Sequence, residues 1–211
     1  MLVLLIGYLF GSFLSAIWVC KLFQVDIIRT GSGNPGMTNV WRTLGWKAGL
    51  LVAVLDAAKG FFAAFIGAYL THSLTWGLFA GVAAVVGHSF SIFANFKGGK
   101  GVLTGFAVFL FLSPIASLSS LALWCIVVAL TRFVSLGSLA AAITLPFFIF
   151  LETRWHGNAG INPVFWAALI ICSFVVYRHR GNVQRLLNGT EPRFQGKVES
   201  DTSGKSMSNA T

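Results

Sequence analysis

The chain has 211 residues, 56% of them hydrophobic and only 10% charged, with a formal net charge of +9. A soluble domain carries about 25% charged residues, so this composition cannot cover a water-facing surface, and lipid is the expected solvent for most of the chain. The basic excess falls in short stretches between long apolar runs, which argues against a nucleic-acid partner and for Lys/Arg that orient a membrane protein and attract anionic ligands or lipid head groups.

A bilayer core needs roughly 20 apolar residues per helix. Residues 2–19 give a first span, with no basic n-region, so it reads as a span and not as a cleaved signal peptide. Residues 21–47 form a polar stretch carrying Lys21, Arg29, Arg42 and Lys47. Residues 48–70 and 76–93 give the next two spans, separated by a short loop without Lys or Arg. Residues 102–130 are too long for one straight helix, and Ser113-Pro114 interrupts them, so two short helices are predicted to meet there. Residues 135–151 and 163–177 complete seven spans.

With the amino terminus outside, every Lys/Arg-rich stretch (21–47, 95–101, 132 and 178–197) falls inside, and only Arg154 remains outside. The expected fold is therefore all-α and polytopic, with about seven transmembrane helices and a cytoplasmic carboxy terminus. Residues 1–195 are expected to form one domain, followed by a polar, disordered tail over 196–211. Cys20, Cys125 and Cys172 lie in apolar segments without CxxC spacing and read as packing residues. Asp56 and Lys59, near one turn apart inside a span, are open to two readings, a self-neutralising pair or part of a site.

Four polar segments carry candidate chemistry. In Gly31-Ser32-Gly33-Asn34-Pro35-Gly36-Met37-Thr38-Asn39, followed by Arg42, glycines free the backbone N–H groups to face an anion, while Ser32, Asn34, Thr38 and Asn39 add neutral hydrogen-bonding groups. Arg42 can grip a phosphate with two parallel bonds, and a helix starting near Thr38 would add its positive end. The alternative is a polar loop that only reverses the chain. The GxGxxG match here follows a membrane span instead of a strand, which excludes a dinucleotide fold.

The second segment joins Gly87-His88-Ser89 to Lys97-Gly98-Gly99-Lys100-Gly101. Its glycines resemble a small phosphate loop with Lys100 as point charge, although it is no Walker A motif. A flexible basic turn is the alternative, and His88 alone is compatible with a packed histidine. The third segment, 178–186 with Gly189-Thr190-Glu191, places His179 and Asn182 on one helix side and adds Arg178 and Arg185. The fourth, Arg132 with Ser135 and Ser138 at a helix entrance, suits either a site or capping. On the seven-span topology all four meet at one membrane face. No HxxxxD pair, G-x-S-x-G elbow or metal-spaced cluster is present in the sequence. Interrupted spans with basic loops also fit an organic-phosphate transporter.

The stretches GSGNPGMTNVWRTLG, GHSFSIFANFKGGKGV and HRGNVQRLLNGTE resemble, in order, the three motifs of the bacterial acyl-phosphate:glycerol-3-phosphate acyltransferases, the PlsY family, and TRFVSLGS matches a further family segment. The resemblance covers residues 1–194. Met37, Ser91 and Leu103 stand where Ala, Pro and Ala are usual, and none of these changes removes a charge. The resemblance implies transfer of a fatty acyl group from acyl phosphate to the 1-hydroxyl of sn-glycerol 3-phosphate, giving lysophosphatidic acid and phosphate without a cofactor. It also implies a donor made by a soluble partner of the PlsX type, and a seven-helix fold in the bacterial inner membrane with the site at the cytoplasmic face. By motif, Ser32, Arg42 and Lys100 would hold substrate phosphate, and Ser138, His179 and Asn182 would complete the site. The expected catalytic set is Ser32, Arg42, Lys100, His179 and Asn182. Gly31, Gly33, Asn34, Thr38, Asn39, His88, Lys97, Gly98, Gly99, Arg132, Ser135, Ser138, Arg185, Gly189 and Glu191 are the expected binding residues.

Overall fold

The computed structural model describes residues 1–157 and 162–194, so the tail expected over 196–211 lies outside the described residues. Among the described residues ten α-helices run in order: α1 (Leu2–Ser12), α2 (Ser15–Leu22), α3 (Met37–Leu44), α4 (Trp46–Thr71), α5 (Leu74–Ser89), α6 (Val102–Leu112), α7 (Pro114–Thr131), α8 (Val134–Trp155), α9 (Pro163–Arg178) and α10 (Arg180–Leu187). Among the described residues there is no strand. Five stretches of the described residues, α1–α2, α4, α5 with its following turn, α7 and α8, are long and apolar enough to cross a bilayer; α6 and α9 are apolar but shorter. Large apolar side chains such as Leu5, Leu50, Phe62, Ile126, Phe147 and Ile170 stay exposed around the bundle, as expected where lipid is the solvent.

The first expected span, 2–19, is broken where the sequence shows no Pro: Phe13 and Leu14 take extended backbone between α1 and α2. Non-helical backbone at membrane depth persists only where its polar groups find protein partners. Here the Phe13 carbonyl accepts Lys59 Nζ at 2.9 Å and the Ser12 carbonyl accepts the Ser91 hydroxyl. The break expected at Ser113-Pro114 is present. Pro114 occupies the first turn of α7, where its missing N–H costs nothing. The Glu152 carboxylate of α8 caps that helix from outside, accepting the Ser113 hydroxyl and the Ala116 N–H, the latter at 2.9 Å.

Helices α1 and α5 approach closely because α1 presents glycine: a Cβ on Gly11 would lie 1.9 Å from the Ala84 carbonyl oxygen. One apolar core joins α5, α6, α8 and α9 through Val85, Val108, Phe109, Ile149 and Ile171. A second joins α2, α3 and α4 through Cys20, Ile27, Val40 and Val52.

Candidate functional site

A cavity of about 1190 Å³ is walled by residues drawn from four segments, 31–43, 100–103, 134–138 and 178–192, with Asp56, His88 and Trp124 added from the helices. The four polar segments, distant in sequence, thus share one cavity. Its basic side chains are Arg42, Lys100, Arg178, Arg180 and Arg185, against the carboxylates Asp56 and Glu191. That excess suits an anionic ligand. Val102, Leu103, Trp124 and Val134 add an apolar wall beside it.

The glycine-rich loop is shaped by Asn39. Its Oδ1 accepts the Ser32 N–H at 3.0 Å, and its Nδ2 donates to the carbonyls of Thr30 at 2.9 Å and Ile27 at 3.3 Å. The Asn39 amide, expected to face a ligand, is therefore spent on loop backbone. Helix α3 starts at Met37 with Gly36 as its cap, one residue before the expected start. Arg42 projects from α3 and donates to the Pro192 carbonyl at 2.9 Å, while Trp41 packs on Phe194 with ring centroids 4.8 Å apart. These contacts fold the segment after α10 back across the cavity.

The loop before α6 departs from the phosphate-loop expectation. Arg178 donates to the Gly98 carbonyl at 2.9 Å and the Gly99 carbonyl at 3.0 Å, and the Gly99 N–H donates to the His88 carbonyl at 3.0 Å. Gly98 and Gly99 therefore direct their backbone groups to protein partners and lie outside the cavity wall. Their lack of a side chain serves close approach, because a Cβ on Gly99 would lie 2.2 Å from His88 Nε2. Of the loop's two lysines, Lys100 reaches into the cavity, where it donates to Asn182 Oδ1, and Gly101 lines the wall beside it.

A polar chain continues from there: Asn182 Nδ2 donates to Glu191 Oε1 at 2.7 Å, and Arg185 Nε donates to Glu191 Oε2 at 2.8 Å. Burial pulls the Lys100 ammonium down to about 8; the Glu191 charge opposes this and Arg185, Arg178 and Arg42 add to it. Burial also works to raise the Glu191 pKa, but Ser135, Asn182 and Arg185 around the carboxylate outweigh it and hold the value below the usual range. Burial, reinforced by Lys100, brings His179 down to about 4. His179 Nδ1 lies 2.8 Å from the Val175 carbonyl. A carbonyl only accepts, so Nδ1 carries the hydrogen and Nε2 keeps a lone pair.

Of the expected residues, Gly31, Ser32, Asn34, Thr38, Asn39, Arg42, His88, Lys100, Ser135, Ser138, His179, Asn182, Arg185 and Glu191 line the cavity. Lys97, Gly98, Gly99, Gly33, Gly189 and Arg132 do not. Lys97 is exposed on its loop. Arg132 ends α7 in the left-handed region, and its carbonyl accepts the Phe194 N–H at 2.6 Å. It lines a smaller outer pocket with Phe133 and Arg193. Ser138 donates to the Val134 carbonyl at 2.9 Å and accepts Trp124 Nε1 at 3.3 Å. Trp124, Arg180, Gln184 and Pro192 are cavity residues that sequence reasoning missed. Trp124 sits in an apolar run without any polar signal, and Pro192 acts through its carbonyl, which no sequence pattern marks.

The family model described as Glycerol-3-phosphate acyltransferase matches residues 1–189. A protein called glycerol-3-phosphate acyltransferase from Fusobacterium nucleatum is 40% identical over 193 residues, covering 91% of this chain and 96% of its own length. One of the same description from Geobacillus kaustophilus is 43% identical, covering 92% and 95%. Among solved structures, the glycerol 3-phosphate form of PlsY, an integral membrane glycerol 3-phosphate acyltransferase, is 40% identical and matches with a TM-score of 0.84 over 92% of this chain and 94% of its own. The lysophosphatidic acid form matches with a TM-score of 0.81.

Proposed function

The chain belongs to the glycerol-3-phosphate acyltransferase family, and from that membership we propose that it moves a fatty acyl group from acyl phosphate to the 1-hydroxyl of sn-glycerol 3-phosphate. The products are lysophosphatidic acid and inorganic phosphate. The observation that carries this reading is the cavity that unites Arg42, Lys100 and Arg185 with His179, Asn182 and an apolar wall. One side suits phosphate groups and the other an acyl chain. The Lys/Arg distribution supports a seven-span topology with this cavity at the cytoplasmic face, and membership of the family supports a bacterial inner membrane. The acyl phosphate would then arrive from a soluble enzyme on the same side.

The reaction is a direct transfer. Acyl phosphate is a mixed anhydride, already activated, so attack of the glycerol oxygen on the acyl carbon forms the ester as the carbon–oxygen bond to phosphate breaks. Lys100, Arg42 and Arg185 neutralise the departing phosphate, and positioning supplies the remainder. The hydroxyl proton goes to phosphate. His179 Nε2 is free to accept a hydrogen bond, but burial and Lys100 bring its value to about 4, below the ordinary phosphate second ionisation at about 6, so phosphate is the favoured proton acceptor. Among the described residues, none of the cavity serines Ser32, Ser135 and Ser138 is hydrogen-bonded through its hydroxyl to a histidine, and Ser138 is held by Val134 and Trp124.

The test is purified protein in detergent with palmitoyl phosphate and labelled glycerol 3-phosphate, with palmitoyl-CoA as the alternative donor. Labelled lysophosphatidic acid from the phosphate donor alone is the expected outcome. Product from the thioester alone, or a trapped acyl-protein with ping-pong kinetics, overturns the donor or the direct route respectively.

A further inference from the structure

Beneath the cationic rim lies a second polar group that the transfer described above does not use. Asp56 of α4, Lys59 one turn on, and His88 of α5 are 2%, 7% and 4% exposed. Lys59 Nζ contacts Asp56 Oδ1 at 2.9 Å, the Phe13 carbonyl at 2.9 Å and His88 Nδ1 at 2.7 Å. An ammonium has three hydrogens and no lone pair, so these three partners use all of them. His88 Nδ1 must then accept, which puts the ring hydrogen on Nε2.

Asp56 Oδ1 also takes the Ser15 hydroxyl at 2.8 Å. Asp56 Oδ2 and His88 Nε2 have no hydrogen-bond partner among the described residues, and both side chains belong to the cavity wall. Lys59 thus holds two cavity-wall side chains, each of which keeps one unpaired polar atom, the acceptor Asp56 Oδ2 and the donor His88 Nε2–H. The Thr104 hydroxyl, 3.1 Å from the Asp56 carbonyl, ties this floor to the first turn of α6, just after Lys100.

A carboxylate repels phosphate, so this part of the cavity is not a phosphate subsite. A donor beside an acceptor matches an alcohol, which both gives and takes a hydrogen bond. We propose that Asp56 Oδ2 and His88 Nε2–H form a hydroxyl-reading subsite that recognises the secondary hydroxyl of the glycerol phosphate acceptor. The inference rests on the acceptor assigned above. The secondary hydroxyl fits better than the primary one, because an oxygen already accepting from His88 has a lone pair engaged and is a weaker nucleophile. The pair therefore selects for a polyol phosphate over a simple hydroxyalkyl phosphate while leaving the reacting oxygen free.

The experiment compares kcat/KM for sn-glycerol 3-phosphate and 3-hydroxypropyl phosphate, which keeps the phosphate and primary hydroxyl but lacks the secondary one. A site whose buried groups pair with a hydroxyl rejects the analogue without it strongly, so the expected preference of the unaltered protein is about 100-fold or more. Asp56→Asn turns the acceptor into a donor, and His88→Asn, with its shorter side chain, withdraws the donor from the Nε2 position; each keeps an oxygen for Lys59. Both variants should lose far more activity on glycerol 3-phosphate than on the analogue, narrowing the preference to within about tenfold. Equal rates of the unaltered protein on the two substrates overturn the subsite without any variant. Equal losses on both substrates in the two variants overturn it as well, and mark a purely structural network. Absence of product from glycerol 3-phosphate itself overturns the assigned reaction together with the subsite.

Discussion

Raising the pH should weaken catalysis along an alkaline limb set by Lys100. Its ammonium lies in the cavity with Arg42, Arg178 and Arg185 around it and Glu191 as the opposing charge, and burial brings it from 10.5 to about 8. That displacement corresponds to about 3 kcal/mol against the charged form, an energy that a bound phosphate dianion would offset. In the free enzyme the charge is half lost at about pH 8, so kcat/KM for glycerol 3-phosphate should fall about tenfold per pH unit above it. A bound dianion favours the ammonium, so kcat at saturating substrate should hold to higher pH. The folded value lies below the unfolded one, so the ammonium destabilises the fold at neutral pH, and that penalty fades as pH rises from about 8 toward 10.5. Activity and the stability contributed by this group therefore move in opposite directions. The assay is initial rate against both substrates from about pH 6.5 to about pH 9.5, corrected for spontaneous hydrolysis, beside thermal unfolding in the same buffers. A kcat/KM that stays flat through about pH 9, or falls only where the protein unfolds, refutes the assignment to Lys100.

Two substitutions test other parts of the structure. Arg42→Ala removes a cavity cation and the tether to the Pro192 carbonyl; it should cost roughly 1.5–3 kcal/mol in kcat/KM for glycerol 3-phosphate, the worth of a hydrogen bond to a charged group, whereas Lys97→Ala, outside the wall, should stay within about threefold. Glu152→Ala leaves the first turn of α7 uncapped, so the melting temperature in detergent should drop in line with a loss of about 1–2 kcal/mol, while kcat of the folded protein is retained.

Much of the architecture was legible because lipid imposes strong rules. The break at Ser113-Pro114 carried a proline and was visible; the one at Phe13-Leu14 carried none, because its cause is tertiary. Lys59 and Ser91, from other helices, satisfy the carbonyls that the break frees. The site was legible as four segments but not in its internal division of labour. Ser135 and Ser138 sit near one turn apart on α8 and face the cavity, whereas Arg132, only three residues earlier, ends α7 at positive φ outside the wall. Sequence proximity cannot show that the chain reverses between them. The Gly98-Gly99 pair read as an anion cradle because glycine permits both that and close packing; the partners chosen by their carbonyls, the two contacts from Arg178, decide for packing.

The presence of Glu191 in an anion site has a consequence for the same titration. Five basic side chains share one cavity, and their mutual repulsion is strong where water is scarce. Glu191 offsets part of it, and by accepting Asn182 Nδ2 and Arg185 Nε it also turns the Asn182 amide so that Oδ1 meets Lys100. Lys100 then spends one hydrogen on Asn182 and keeps two for substrate. Glu191→Gln keeps the shape and an acceptor for one of these donors but removes the charge, which is the main influence holding the Lys100 value up against burial. The alkaline limb of kcat/KM should therefore move to lower pH in Glu191→Gln than in the unaltered protein. A limb that stays in place shows that Glu191 acts on Lys100 only through the orientation of Asn182, and a limb displaced upward contradicts the electrostatic account of the cavity altogether.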